Sequence, residues 1–168
     1  ATPRTQSSLL ECMEEKQVTL DVETLKLAAP FFVIATENPI ETAGTFPLPE
    51  AQLDRFMMKI SMGFPTFAQE LEIMDRYISE SPYAALSAVM TTQELITMQE
   101  WVNGVHIVQE VREYLLHIVE ATRKNAKLKL GVSTRGTLAF MRACQSLAAI
   151  RARNYVIPED IKYLAPFV

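Results

Sequence analysis

Three polar residues stand at positions where chemistry could be done: Asn38, Arg55 and Arg135. Asn38 follows Phe31-Phe32-Val33-Ile34-Ala35, the most hydrophobic run of the chain. Ligands of open α/β sheets bind beyond the carboxyl ends of the strands. An amide there could position a water or read a phosphate, or it could simply cap the turn before Pro39. Arg55 lies in Leu53-Asp54-Arg55-Phe56, at an abrupt helix-to-strand transition. Without other information it reads as a surface ion pair with Asp54 or Glu50. Arg135 falls in the first turn of a helix, where a cation opposes the helix dipole at a cost of a few tenths to about 1 kcal/mol. A bound polyphosphate would offset that cost.

Other constellations carry no chemistry. Gly131-Val132-Ser133-Thr134-Arg135-Gly136-Thr137 has the glycine spacing of a phosphate loop. However, Thr137 stands where such a loop needs lysine, and no strand precedes it. It reads instead as a helix start with Ser133 as N-cap. Cys12 and Cys144 are far apart, outside any CxxC pattern, and read as two buried thiols. His106 and His117 have no metal-ligand company. The chain has 168 residues and a net charge of −4. Its one basic cluster, Arg123, Lys124, Lys127 and Lys129, suits a helix C-terminus better than nucleic acid. No apolar stretch reaches the roughly 18 residues of a membrane span. The opening Ala1-Thr2-Pro3-Arg4 has no Met and no signal region, and reads as the interior of a longer protein.

The elements that would position these residues follow from periodicity and caps. Pro3 opens a helix with Leu9, Leu10 and Met13 on one face. Lys16 to Leu27 alternates like a β-hairpin, although no glycine marks its turn. Phe31–Ala35 suits a central strand buried on both faces, and Phe56–Met62 a second strand, with a short helix through Gln52 and Arg55 before it. Helices follow throughout. Thr66/Gln69 and Thr91/Glu94 form capping boxes. Val108, Val111, Leu115, Ile118 and Val119 stripe a third helix. Ser133 starts a fourth, with Leu138, Met141 and Ala148 on its apolar face, and Ile157-Pro158-Glu159-Asp160 opens the last.

In sequence order, these segments resemble the MoxR-type AAA+ ATPases. Pro3 to Glu15 with Gln17-Val18-Thr19 resembles the segment after the Walker B acids. Phe31 to Pro39 is similar to the sensor-1 strand, and Gly44-Thr45-Phe46-Pro47-Leu48-Pro49-Glu50-Ala51-Gln52-Leu53-Asp54-Arg55-Phe56 to the family's most distinctive loop. Gly131-Val132-Ser133-Thr134-Arg135 resembles sensor 2, and Arg153 to Ile161 the closing turn of the lid. The resemblance implies an α+β fold. An incomplete P-loop NTPase α/β core, residues 1–65, is expected before an all-α AAA+ lid bundle, residues 66–168. It makes Asn38 sensor 1, orienting the attacking water. Arg55 becomes the arginine finger acting in trans on a neighbouring subunit, and Arg135 the sensor 2 that contacts the phosphates of its own subunit's ATP. It further implies ATP with Mg²⁺ held by residues outside this chain, so that these residues alone would not hydrolyse ATP. The expected setting is a cytoplasmic homo-oligomeric ring, commonly a hexamer, that remodels or matures partner proteins, among them von Willebrand A domain proteins.

Glu37 stands where the family usually has Gln, Asp21-Val22 where it has Asp-Gly, and Thr134 and Gly136 where it has Pro and Ala. Three rival readings remain. A magnesium-chelatase-like motor shares the sensor logic, a non-catalytic helical module could descend from an ATPase, and a nucleic-acid remodeller is disfavoured by the chain's acidity.

Overall fold

The computed structural model describes residues 3–20, 23–37, 48–79 and 86–168. Helix α1 spans Pro3–Glu15, and strands β1 (Gln17–Leu20) and β2 (Glu23–Lys26) form the expected antiparallel hairpin. Leu20 faces Glu23 across it, and residues 21–22 between them lie outside the described residues. The hairpin folds back onto α1 through one side chain. Glu11 accepts from Thr19 Oγ1 at 2.5 Å and from Gln17 Nε2 at 3.3 Å. The Thr19 hydroxyl does most to hold the Glu11 carboxyl below its ordinary value.

The two long strands expected at Phe31–Ala35 and Phe56–Met62 are not strands. Both segments are irregular, and the described residues contain a single two-stranded sheet, β1 with β2. An extended segment becomes a strand only when a neighbour accepts its ladder, and neither has one among the described residues. Phe31 and Val33 are half-buried, whereas Phe32 and Ile34 are about 80% and 79% exposed.

The short helix α2 (Glu50–Leu53) ends before Arg55, which sits in the following turn. The remaining helices are α3 (Phe67–Ser79), α4 (Thr92–Asn103), α5 (Gln109–Lys124), α6 (Thr134–Ile150) and α7 (Pro158–Leu164), closed by a 3₁₀ turn at Ala165–Phe167. Both capping boxes form. Thr66 N–H donates to Gln69 Oε1 at 2.8 Å, and Thr91 N–H to Glu94 Oε2 at 2.7 Å. Each satisfies amides that a helix start leaves unpaired. Ser133 caps α6 by accepting from the Gly136 N–H at 2.9 Å.

The core lies among α5, α6 and α7. Val111, Leu115 and Val119 recur every four residues along α5 and meet Phe140, Ala143, Cys144 and Ala148 of α6 and Ile161 and Leu164 of α7. Leu138, expected on the apolar face of α6, is 54% exposed; the stripe runs one step round the helix, through Phe140. Cys144 is buried as expected, but Cys12 is only half-buried. The loop before α5 pairs with the loop before α7, His106 N–H donating to Asn154 O and Val156 N–H to His106 O. α4 packs on α6, and Gln145 Nε2 ties that contact by donating to Val105 O. Residues 67–78 of α3 all lie exposed.

Gly131 is required by close approach. A Cβ there would lie 2.5 Å from Arg123 Cα, so only glycine lets the chain cross the end of α5 into α6. Three of the basic residues at that end have partners. Arg123 Nε donates to Val132 O at 2.8 Å, Lys124 pairs with Glu120 at 3.2 Å, and Lys129 pairs with Glu50 at 2.5 Å. No helix among the described residues is long and apolar enough to cross a membrane.

Candidate functional site

Arg55 is fixed to the helical body from both sides. Before it, Asp54 Oδ1 accepts from Ser133 Oγ at 2.6 Å. Ser133 therefore caps α6 and holds the Arg55 turn against it. After it, Met58 packs on the core and Lys59 N–H donates to Phe167 O at 2.7 Å. The partners first considered for Arg55 are committed elsewhere, Asp54 to Ser133 and Glu50 to Lys129.

Arg55 instead meets Glu14, at the end of α1, Nη1 lying against Oε2. Arg135 Nη2, from the first turn of α6, takes the other oxygen of the same carboxylate. Two guanidinium groups from separate elements thus converge on one carboxylate. Their cavity, of about 440 Å³, is lined by Met13, Glu14, Glu15, Arg55 and Arg135. Each charge lies at the wrong end of its helix, Glu14 at the C-terminus of α1 and Arg135 at the N-terminus of α6, and each supplies what the other helix end lacks.

The pair is incompletely satisfied. Arg55 Nε is inaccessible to solvent and has no hydrogen-bond partner among the described residues, and Nη1 meets Glu14 as an ion pair. A buried donor without an acceptor costs about 1–3 kcal/mol, so this guanidinium has capacity for a further acceptor. Two planar guanidinium donors and two carboxylates, Glu14 and Glu15, thus face one open cavity. Among the described residues no group of three His, Cys, Asp or Glu could hold a metal ion. Asn38 lies outside the described residues.

Two residues escaped the reading of the sequence. Glu14 was visible only as one of two adjacent acids at a helix C-terminus, a misplaced charge of the same kind that drew attention to Arg135. Asp160 is fully buried in α7. It accepts from Arg153 at 2.6 and 2.9 Å, from Arg151 at 3.2 Å and from Ile157 N–H at 3.1 Å. Burial pushes its carboxyl up, but the Arg153 and Ile157 hydrogen bonds and the charges of both arginines outweigh it and hold it below the ordinary value. This cluster ties α7 to the turn before it, and none of its residues lines the Arg55–Arg135 cavity.

Known proteins are similar to this chain along its length. The profile of the ATPase family associated with various cellular activities (AAA) matches residues 1–58, and that of the AAA lid domain matches residues 120–168. The uncharacterized protein YeaC of Bacillus subtilis is 48% identical over 99% of this chain and 52% of its own length. Chaperone MoxR1 of Mycobacterium tuberculosis is 38% identical over 100% of this chain and 46% of its own. A crystal structure from Cytophaga hutchinsonii, assigned as an ATPase, superposes with a TM-score of 0.89 at 38% identity, covering 98% of this chain and 52% of that one. A full-length MCM homolog from Methanopyrus kandleri, at 21% identity and a TM-score of 0.56 over 99% of this chain and 34% of its own, shares the fold. The chain spans about half the length of the curated relatives it matches. With an AAA segment, an AAA lid and relatives of this kind, the chain belongs to the MoxR-type AAA+ family.

Proposed function

We propose that this chain is the sensor-and-lid part of an ATPase that hydrolyses Mg·ATP in a homo-oligomeric ring and couples turnover to remodelling or maturation of partner proteins. The observation that carries this reading is the convergence of Arg55 and Arg135 on one carboxylate. Phosphoryl transfer depends on positioning and charge neutralisation more than on covalent participation by the protein. Two rigidly mounted guanidinium groups across an open cavity suit that task. Mg·ATP, when bound, supplies the phosphoanhydride whose hydrolysis drives the work. Arg55 neutralises charge developing on the terminal phosphate, and Arg135 holds the same phosphate from the lid side. Asn38, by the family resemblance, orients the attacking water.

The geometry favours a change in the division of labour. Sequence reasoning assigns Arg55 to a neighbouring subunit's nucleotide and Arg135 to its own. Side chains that share one carboxylate reach one phosphate more readily than two phosphates on separate subunits. Both arginines therefore serve one nucleotide, and the trans role that the family resemblance implies for Arg55 makes it the neighbour's. Head-to-tail contacts that close give a ring, here a hexamer, in which no site is complete alone. The client is a protein, with von Willebrand A domain proteins the leading class, and the compartment is the cytoplasm.

Mixed assembly of the full-length protein tests this. Arg55→Ala and Arg135→Ala should each lower ATP turnover, Arg55→Ala by ~10³-fold or more, while leaving nucleotide binding in place. Each variant should regain activity when mixed with subunits that carry both arginines but lack the phosphate-binding lysine. Recovery by Arg55→Ala alone would return Arg135 to its own subunit's nucleotide. Unchanged turnover for Arg55→Ala would refute the finger.

A further inference from the structure

We propose that Glu14 is a built-in stand-in for phosphate: its carboxylate neutralises Arg55 and Arg135 until a phosphate group displaces it. The proposal rests on the reading of the two arginines as phosphate ligands, and adds the state in which they wait. Each oxygen of Glu14 takes a different arginine, which is how a bridging phosphate would engage them. Glu15 lines the same cavity, so two positive charges face two negative ones. No net attraction for a polyphosphate remains until a carboxylate leaves.

Three features make Glu14 the group that moves. Its side chain is 30% exposed, so it can swing to water, whereas Asp160 is fully buried and held by four hydrogen bonds. It sits at the C-terminal end of α1, where the helix dipole disfavours a carboxylate once its arginines are taken. One turn earlier, Glu11 fastens α1 to the hairpin through Thr19 and Gln17, so the side chain moves rather than the helix. The Nε of Arg55, buried and unpaired among the described residues, points the same way. Glu14 leaves a donor unused that the additional oxygens of a phosphate can fill. An arginine pair masked in the free subunit and unmasked only by a phosphate would not capture stray anions before assembly.

Calorimetric titration of this chain with tripolyphosphate tests the proposal. Glu14→Gln keeps the shape and removes the charge, and should bind about tenfold more tightly than wild type, the size expected of one partly exposed charge removed from beside an anion. Adding Arg135→Ala should abolish the gain. Equal or weaker binding by Glu14→Gln, with melting unchanged, would mean that Glu14 only positions the arginines, and would overturn the proposal. The wild type gives an independent readout. The Glu14 carboxyl carbon resonance should shift as tripolyphosphate is added; arginine resonances that shift while Glu14 stays fixed would also overturn it. Failure here is separable from failure of the ATPase reading. If mixed rings need Arg55 but Glu14→Gln gains nothing, only the stand-in falls. If Glu14→Gln binds more tightly but Arg55→Ala turns over normally, the anion seat stands and its role in hydrolysis falls.

Discussion

Replacing Asp160 with alanine should destabilise the helical body by about 3 kcal/mol, near the lower end of the range for breaking one side of a buried ion pair. The figure follows from what the substitution strands. Arg153, with its side chain 19% exposed, loses both bonds to the carboxylate and keeps the Tyr155 carbonyl at 2.9 Å and its place over the Tyr155 ring at 5.9 Å. It cannot be fully rehydrated in place. Arg151, 42% exposed, can turn to water and already stacks over the Tyr163 ring at 5.0 Å, so its loss is small. The Ile157 N–H loses its acceptor at the start of α7. A loss of that size is a large part of the ~5–15 kcal/mol that holds a domain together. Urea unfolding followed by circular dichroism measures it. The sign of the pH dependence gives a second check. Because Asp160 is held below its ordinary value in the folded state, its contribution is complete above the unfolded carboxyl value of about 3.9 and fades as pH falls through the folded one. The gap between wild type and Asp160→Ala should therefore close in acid. A gap under about 1 kcal/mol, the range of exposed pairs, or one indifferent to acid, would refute the reasoning.

Ser133→Ala removes the cap of α6 and the bond that holds the Arg55 turn. It should cost about 1–2 kcal/mol in the same unfolding assay, and Ser133→Thr should restore most of it; an unaltered midpoint for the alanine variant would show that the cap carries no weight. Burial, with the nearby Asp160 charge adding to it, pushes the Cys144 thiol up to about 12. Thiol reagent at neutral pH should therefore modify half-buried Cys12 first and reach Cys144 only on unfolding, and equal rates would contradict the packing of α6.

Much of the helical part was legible because its signals are local. Thr66/Gln69 and Thr91/Glu94 close their boxes within one turn, Ser133 caps as its position predicts, and Val111, Leu115 and Val119 fall on one face whatever lies opposite. The site was half legible. Arg55 and Arg135 drew attention through placement, but their meeting depends on Glu14, which is remote in sequence from Arg135. Asp160 hid for the opposite reason: an acid in the first turn of a helix is already explained by the dipole, so nothing prompted a search for Arg151 and Arg153 behind it.

The strands show where local reasoning stops. A helix satisfies its own backbone within each turn, so its sequence reports directly on whether it forms. A strand closes its hydrogen bonds only through a neighbour, and Phe31–Ala35 records no more than a fitness to be covered on both faces. Its alternation survives, with Phe31 and Val33 turned inward and Phe32 and Ile34 outward, yet no ladder forms beside it among the described residues. The hairpin passes the same test that Phe31–Ala35 fails. Gln17–Leu20 finds its partner in Glu23–Lys26, two residues further on, so the neighbour lies inside the window that a reader of sequence can scan. What separates the strands that form from those that do not is thus the presence of a partner among the described residues, and not the strength of the hydrophobic signal, which is greatest where no strand forms.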